Sequence, residues 1–314
     1  MNKSLRIVFM GTPSFALEPL CALCENGYTP VAVYTQPDKV NRRGGKISFS
    51  PVKEYALEKN IPVLQPPTFR DEETVETLRA LSPDVIVVIA YGKILPQAVL
   101  DIPTYGALNI HASLLPKYRG AAPVQRAIID REKETGVTLM KLDAGMDTGP
   151  MISRVTVPLG DTETAGGLLE TLADLGAKEL LRILPNLADA VAQAVPQDET
   201  AATYAEKLTK EMGCLDWNES ADVLHALIRG MYPNPGTYTF FRGKRLKIHH
   251  SFLVGTETNA APGTVVSTEN GKLHIAAGGG VLVIDRLQPE NKKEMDTADF
   301  INGYQVKTGD RFGN

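Results

Sequence analysis

Residues 84–90 read D-V-I-V-V-I-A, an apolar run that follows directly on an acidic residue. A strand that is apolar on both faces belongs in the middle of a parallel sheet, because helices cover both sides of such a sheet. Similar runs recur along the first half of the chain, at 5–10, 30–35, 61–64, 107–111 and 137–143. Helical patterns accompany them, at 51–60, 71–81 and 164–184. This alternation predicts an α/β fold with a doubly wound, mainly parallel sheet, whose ligands bind beyond the carboxyl ends of the strands.

The character of the sequence changes after a polar stretch at 194–208, which we interpret as a linker. Beyond it, one helix begins near Asn218, and short β-rich runs separated by Gly, Pro and Asn continue to the end. Short strands at this spacing predict a small, OB-like β-barrel. The predicted domains are therefore 1–193 and 209–314.

Composition restricts the class of function. The 314 residues are 43% hydrophobic and 22% charged, with a formal net charge of −4, so the chain as a whole has no electrostatic preference for nucleic acid. No apolar run approaches the roughly 20 residues of a membrane-spanning helix. Cys21 and Cys24 lie on the apolar face of a predicted helix and lack two further ligands at zinc-site spacing. We expect a cytoplasmic protein that binds neither a metal nor a membrane.

A nicotinamide dehydrogenase is the obvious competing function for a sheet of this kind. Such enzymes carry G-x-G-x-x-G after the first strand, where backbone N–H groups bind the pyrophosphate. This chain has G-T-P-S-F at 11–15 instead, and its proline removes one backbone donor. Dinucleotide binding is therefore disfavoured.

The residues best suited to chemistry lie where the strand 107–111 ends. Asn109 and His111 are two residues apart, so a strand presents both on one face. Asp147 follows the next predicted strand, and a carboxylate near His111 would fix the tautomer of its imidazole and raise its basicity. Together, an amide donor, an imidazole and a carboxylate predict a site for attack on a carbonyl, with Asn109 and protonated His111 as donors to the developing oxyanion.

Two basic stretches are candidates for contacts with a charged substrate. Their residues are Arg42, Arg43 and Lys46 in the loop 39–46, and Arg242, Lys244, Arg245 and Lys247 in a predicted hairpin. The hairpin has two interpretations of equal weight: a strip that contacts RNA phosphates, or a solvated edge strand that charge protects from aggregation. The loop is either a solvated loop or a substrate contact, and its length favours a contact.

The motif N-I-H-A-S-L-L-P-K-Y-R-G at 109–120, with D-A-G-M-D-T-G-P-M-I at 143–152, closely resembles the folate-dependent formyltransferases. Further matching motifs occur in order along nearly the whole chain: M-G-T-P-S-F (10–15), T-Q-P-D-K (35–39), S-P-V-K (50–53), A-Y-G-K-I-L-P (90–96), R-G-A-A-P-V-Q-R-A-I (119–128), T-Y-A-E-K-L (203–208) and A-P-G-T-V (261–265). Only the loop after Asp38 departs from the family's spacing.

The resemblance implies a formyltransferase variant of the Rossmann-like sheet and a formyl donor, 10-formyltetrahydrofolate. It also implies an acceptor, the amino group of methionine carried on initiator tRNA, and a monomeric enzyme. The folate residues that it implies are Ser113, Leu114, Leu115 and Pro116 in one turn, and Ala90, Tyr91, Gly92, Ile94 and Leu95 in a loop around the pterin. Of the two loop arginines, Arg43 is favoured over Arg42 as the main tRNA contact.

Three other functions fit the same motifs. A relative that formylates a sugar nucleotide or glycinamide ribonucleotide would use the same Asn109, His111 and Asp147 without needing the basic loop or the barrel. A hydrolase would release formate from the folate with no amine acceptor. An RNA-binding protein built on an enzyme scaffold would need none of the three residues. The sequence also leaves open how Asn109 and His111 divide the catalytic work.

Overall fold

The computed structural model describes residues 5–40 and 47–313, and their contacts divide the chain into two compact units. Unit 1 comprises Met1–Gly120, Thr135–Val157 and Leu169–Ala205. Unit 2 comprises Ala121–Glu134, Pro158–Leu168 and Glu206–Asn314. The two units are thus interleaved along the sequence, although the division of the chain at 193 and 209 stays a prediction.

Unit 1 is built on a sheet that has seven strands within the described ranges. In chain order they are β1 (Ile7–Gly11), β2 (Ala32–Tyr34), β3 (Val63–Leu64), β4 (Val85–Ile89), β5 (Ala107–His111), β6 (Glu134–Lys141) and β7 (Met151–Pro158). Their order across the sheet is β7-β6-β5-β4-β1-β2-β3. All pairings from β3 to β5 are parallel, whereas β6 runs antiparallel to β5.

Every residue of β1 and β4 is buried, as expected for central strands that are covered on both faces. The mainly parallel α/β architecture is therefore confirmed. The prediction omitted β7, in which exposure alternates from Ser153 on, as in a half-exposed edge strand, but apolar and polar residues alternate only over its last four positions. It also started β6 three residues late, at 137.

Helices occur, in chain order, at α1 (Leu17–Glu25), α2 (Pro51–Glu58), α3 (Glu72–Ala80), α4 (Gln97–Leu100), α5 (Pro123–Ile129), α6 (Ala165–Ile183), α7 (Leu187–Ala192), α8 (Ala221–Met231) and α9 (Thr297–Tyr304). Local chemistry fixes several ends. The side chains of Ser50 and Asp71 accept from the third backbone N–H of α2 and α3, and Gly27 follows α1 with a φ of 81°. Over 5–40 and 47–313, no helix is long and apolar enough to cross a membrane.

Unit 2 contains an antiparallel sheet. Its strands are β8 (Thr237–Phe241), β9 (Lys244–Leu253), β10 (Val265–Ser267), β11 (Leu273–Ala277), β12 (Gly280–Pro289) and β13 (Met295–Asp296). The order is β8-β9-β12-β11-β10, and β13 pairs with β12. The short strands of the predicted second domain are thus confirmed.

The last residues of the chain connect the two outer strands of this sheet. Phe312 pairs antiparallel with Phe241, the last residue of β8, and Arg311 pairs antiparallel with Thr264, which immediately precedes β10. The amide of Phe312 also donates to the carbonyl of Gly263, at 2.8 Å. The core beneath holds Trp217, whose indole N–H donates to Thr239 at 2.9 Å. The outer edges of the sheet are therefore joined by a third segment, as in a barrel.

Much of the segment predicted as a linker, 194–208, makes specific contacts within unit 1. Val195 forms a bridge with Met151, and Tyr204–Ala205 pairs in parallel with Arg119–Gly120. These contacts are main-chain and polar side-chain hydrogen bonds, which leave no apolar periodicity in the sequence. Residues 194–205 are therefore part of the unit that carries the candidate site.

Candidate active site

Strand β5 ends at the carboxyl edge of the sheet and places Asn109 and His111 on one face. Asn109 lies opposite Val88 of β4 and Met140 of β6, which fixes its position from both sides. Its side chain is half-buried. Among the described residues the Asn109 carboxamide has no hydrogen-bond partner, so its two N–H groups are available to a ligand.

The His111 imidazole is only 6% exposed, and an oxygen atom faces each of its two nitrogens. Nε2 lies 2.9 Å from the backbone carbonyl of Tyr118, and Nδ1 lies 3.7 Å from Oδ2 of Asp147. A carbonyl oxygen accepts only, so Nε2 carries a proton in either charge state of the ring. The Tyr118 carbonyl, and not Asp147 as the sequence suggested, therefore selects the tautomer. Asp147 faces the nitrogen that gains or loses the proton.

Asp147 is fixed through its side chain and through its backbone. Its Oδ2 accepts from the amide of Gly120 at 2.9 Å, and its φ of 54° lies in the left-handed region. The carbonyl of Asp147 accepts from Nε2 of Gln197 at 2.7 Å. The three residues predicted from the sequence are thus brought together at one end of β5.

Sequence reasoning missed a buried polar group behind Asp147. Arg119 has no solvent exposure, and its Nε and Nη2 donate to Oε1 of Gln197 at 3.1 and 2.9 Å. Its Nη1 and Nη2 also donate to the two carboxylate oxygens of Glu199, at 2.9 and 2.8 Å. The Glu199 carboxylate raises the pKa of Arg119, and the same hydrogen bonds lower the pKa of Glu199. Arg119 belongs to a quoted motif, but nothing in the sequence indicates its burial or its partners.

The loop after β4 alternates between exposed and buried positions. Ala90, Gly92 and Ile94 are exposed, Ile94 by 91%, whereas Tyr91 and Leu95 are buried. The backbone of Ala90 and Gly92 is left-handed, with φ of 46° and 79°.

Two side chains of unit 1 hold this loop in place. The Tyr91 carbonyl accepts from Nε2 of Gln36 at 2.9 Å and from the Thr12 hydroxyl at 3.4 Å. The loop therefore presents its exposed residues from a fixed backbone.

The turn after β5 is held from within. The Ser113 hydroxyl is fully buried and donates to the carbonyl of Lys117 at 2.6 Å. Leu115 is also fully buried, and its amide donates to the hydroxyl of Thr138 at 3.0 Å. Leu114 and Pro116 are partly exposed. In the turn predicted to contact folate, Ser113 and Leu115 thus stabilise the conformation of the turn, whereas Leu114 and Pro116 have exposed surface that a ligand can contact.

The basic residues differ in their surroundings. Arg42, Arg43 and Lys46 lie outside the described residues. Arg242 is held within unit 2, since it donates to the carbonyl of Tyr304 at 2.8 Å and to Asp310 at 3.0 Å.

The other hairpin residues lie on β9. Strand β9 pairs on both sides, with β8 and with β12, so the alternative of a solvated edge strand is wrong. Lys244 is exposed. Arg245 and Lys247 are exposed opposite Phe240 and Tyr238, and the Arg245 guanidinium stacks 3.7 Å from the centre of the Tyr238 ring. Arg245 and Lys247 therefore form, with the neighbouring aromatic rings, an exposed face on a strand that is not at the edge of the sheet.

Comparison with known proteins gives the context of this geometry. The sequence matches the family described as Formyl transferase over residues 5–184, and the family described as Formyl transferase, C-terminal domain over 207–305. It is 46% identical over 310 residues to a methionyl-tRNA formyltransferase from Acetivibrio thermocellus, covering 98% of this chain and 100% of the relative. It is 44% identical over 305 residues to a methionyl-tRNA formyltransferase from Alkaliphilus metalliredigens, covering 97% of each chain.

Solved structures share the fold at low sequence identity. HypX from Aquifex aeolicus in complex with tetrahydrofolic acid aligns with a TM-score of 0.68 at 18% identity over 98% of this chain, which spans about half of HypX (48%). An N-formyltransferase from Helicobacter canadensis, in complex with folinic acid and dTDP-3-aminofucose, aligns with a TM-score of 0.68 at 18% identity, covering 93% of this chain and all of that one. At this identity the two structures bear on the fold alone.

Proposed function

The chain belongs to the formyl transferase family, and from this premise we propose that it transfers the formyl group of 10-formyltetrahydrofolate to the amino group of methionine on initiator tRNA. The observation that carries the proposal is the identity of 46% and 44%, over nearly full length, to two methionyl-tRNA formyltransferases. Membership alone leaves the acceptor open, because a sugar-specific relative shares the fold.

Asn109 has the properties required of an oxyanion donor. When bound, 10-formyltetrahydrofolate supplies the formyl group, and negative charge develops on the formyl oxygen as the amine attacks. The Asn109 carboxamide is half-buried and unpaired among the described residues, so it can donate to that oxygen without first breaking a bond within the protein. A well-aimed donor of this kind contributes roughly 3–4 kcal/mol to the transition state.

His111 and Asp147 move the proton. Because the Tyr118 carbonyl holds the proton on Nε2, Nδ1 is the nitrogen that takes a proton from the attacking amine and returns one to N10 of the folate, directly or through a water. The Asp147 carboxylate, 3.7 Å away, stabilises the ring while both nitrogens are protonated. Protonated His111 is also a second donor to the formyl oxygen.

The surroundings of the site fit a folate. Ala90, Gly92 and Ile94 offer an exposed and mostly apolar surface on a backbone that Gln36 fixes, as a flat pterin ring requires. Leu114 and Pro116 add apolar surface from the turn after β5. The buried residues of the same loop and turn do not contact the folate directly but keep the exposed ones in place; they are Tyr91, Leu95, Ser113 and Leu115.

The tRNA contacts are divided between the loop 39–46 and β9. From the loop, Arg42, Arg43 and Lys46 contribute positive charge to tRNA binding, with Arg43 as the main contact. Arg245 and Lys247 bind phosphates from the exposed face of β9, next to rings on which a base can stack. Lys244 is exposed at the first position of β9 but alternates to the opposite face from Arg245 and Lys247, so it adds charge only from the end of the strand. Arg242 is bound to Asp310 and contributes least.

The decisive experiment is formyl transfer from 10-formyltetrahydrofolate to initiator methionyl-tRNA, beside elongator methionyl-tRNA and a reaction without acceptor. Product on the initiator alone is expected. Folate turnover without an acceptor would indicate a hydrolase. No product on either tRNA, with product on an amino sugar nucleotide or glycinamide ribonucleotide, would assign the chain to a sibling activity and overturn the proposal.

A further inference from the structure

We propose that Gln197 is a positioning residue for the reaction: its side-chain amide holds Asp147 in place against His111, and Arg119 holds Gln197. This inference rests on the proposed function, because it assigns Asp147 a part in proton transfer. Gln197 lies in the segment predicted as a linker, 50 residues from Asp147 in sequence.

Asp147 needs an external restraint. Its backbone, with a φ of 54°, lies in the left-handed region, which is strained in a residue other than glycine. The loop before it, residues 143–146, is exposed, and the Met146 side chain is 63% exposed. The carboxylate must nevertheless stay within reach of both Gly120 N and His111 Nδ1. Within the loop, Oδ1 of Asp143 accepts from the Gly145 amide and the Thr148 hydroxyl, but neither bond involves the backbone of Asp147, which needs a restraint of its own.

Gln197 supplies that restraint with a single nitrogen. Its Nε2 donates to the carbonyl of Asp147 at 2.7 Å and to the carbonyl of Gly149 at 2.8 Å, so it bridges the turn on both sides of Thr148. The side chain of Gln197 is buried, which protects these bonds from competition by water. The two bonds hold the backbone of the turn, and the bond from the Gly120 amide then keeps the Asp147 carboxylate on the side of the imidazole.

Arg119 determines which way the Gln197 amide faces. Guanidinium N–H groups only donate, and two of them point at Oε1, so Nε2 must face the two carbonyls. A flipped amide would set NH₂ against the guanidinium and oxygen against both carbonyls. Glu199 binds the other side of Arg119 and compensates its charge. One amide orientation therefore satisfies every member of the group.

Gln197→Glu tests the inference, because it preserves size and the acceptor for Arg119 but replaces the donor by a second oxygen that faces two carbonyls. We expect kcat to fall by about 10–100-fold, in line with an error of about 1 Å in the placement of a catalytic group. KM for the folate and for the tRNA should change less than about threefold. The matched control is Gln193→Glu, the same change at an exposed position of the same unit, which should leave kcat unaltered.

A double-mutant cycle separates positioning from general damage. If Gln197 acts through Asp147, Gln197→Glu should lower kcat little or not at all in an Asp147→Asn background. Equal loss in both backgrounds, or an unchanged kcat in the single variant, would overturn the inference. Should Gln197→Glu fail to fold, Gln197→Met, which removes the donor and also the acceptor for Arg119 without adding charge, should lower kcat by at least as much.

A second measurement does not depend on turnover. The ¹⁵N signals of the His111 ring, assigned with a His111→Gln variant, should shift in Gln197→Glu and stay in place in Gln193→Glu. Wild-type enzyme that formylates no initiator tRNA would count against the proposed function while these signals still test the positioning. Unshifted His111 signals would count against Gln197 alone.

Discussion

Replacing Asn109 with alanine should remove catalysis while leaving the fold intact. The side chain makes no hydrogen bond to the described residues, so its removal leaves no protein group without a hydrogen-bond partner. The melting temperature should therefore stay within a few degrees of the wild-type value. In the transition state, however, one donor to the formyl oxygen is lost. At roughly 3–4 kcal/mol for that donor and about 1.4 kcal/mol per factor of ten, kcat should fall by about 10²–10³-fold.

The assay is steady-state formylation of initiator methionyl-tRNA at saturating folate, with thermal unfolding of the same preparation. Because the donor acts mainly on the transition state, KM for both substrates should change little. A preserved kcat with a tenfold higher KM would refute the oxyanion role and make Asn109 a ground-state binding contact. A large drop in melting temperature would refute the inference that the carboxamide has no structural partner.

Three further outcomes are expected. Lys247→Ala and Arg245→Ala should each raise KM for tRNA and reduce the slope of log affinity against log salt by about one, measured by binding from low to moderate salt; an unchanged slope would exclude phosphate contact. Arg43→Ala should weaken tRNA use and spare the folate dissociation constant, and impaired folate binding would contradict this. Burial lowers the pKa of His225 and nearby Arg229 lowers it further, although the imidazole donates a hydrogen bond to the Asp161 carbonyl, which acts in the opposite direction. The free energy of unfolding should therefore decrease as pH falls below about 6.5, where only the unfolded state gains the proton. Urea unfolding at pH 7.5 and 5.5 measures this loss, which should be smaller in His225→Gln.

Apolar patterning was sufficient to predict the centre of the unit 1 sheet. Strand β4 is apolar at each of its five positions, and no other element type accommodates such a short run between helical patterns. Strand β7 went unrecognised because it directly follows the D-T-G motif, although Met151, Ser153, Val155 and Val157 are the less exposed positions of an alternating edge strand. Helix α5 is short and begins at a proline, which hides it inside the R-G-A-A-P motif.

In the site, too, some residues could be predicted from the local sequence pattern, whereas others depend on contacts between segments far apart in the sequence. Asn109 and His111 follow from strand periodicity, and Asp147 follows from the position of its strand in the sheet. The Tyr118 carbonyl is a main-chain group and leaves no mark on the residue type. Arg119 and Gln197 are 78 residues apart in the sequence but bind each other in the fold. The residue type of an arginine does not show whether its side chain is buried. The sequence was therefore sufficient to predict the groups that we propose to contact substrate, whereas the residues that support them could be recognised only from the fold.

The pairing of Phe312 with Phe241 has a consequence for the time at which unit 2 matures on the ribosome. Strands β8 and β10 are synthesised about 70 and 45 residues before the segment that joins them. Because protein synthesis adds about 5–20 residues per second, the edges of β8 and β10 stay unpaired for seconds. They stay unpaired for longer while residue 312 is still in the exit tunnel of the ribosome. A nascent chain that stalls in this interval presents two unpaired strands to its neighbours on the same message. Translation speed over the codons between β10 and Phe312 thus governs how long these two strands are prone to aggregation.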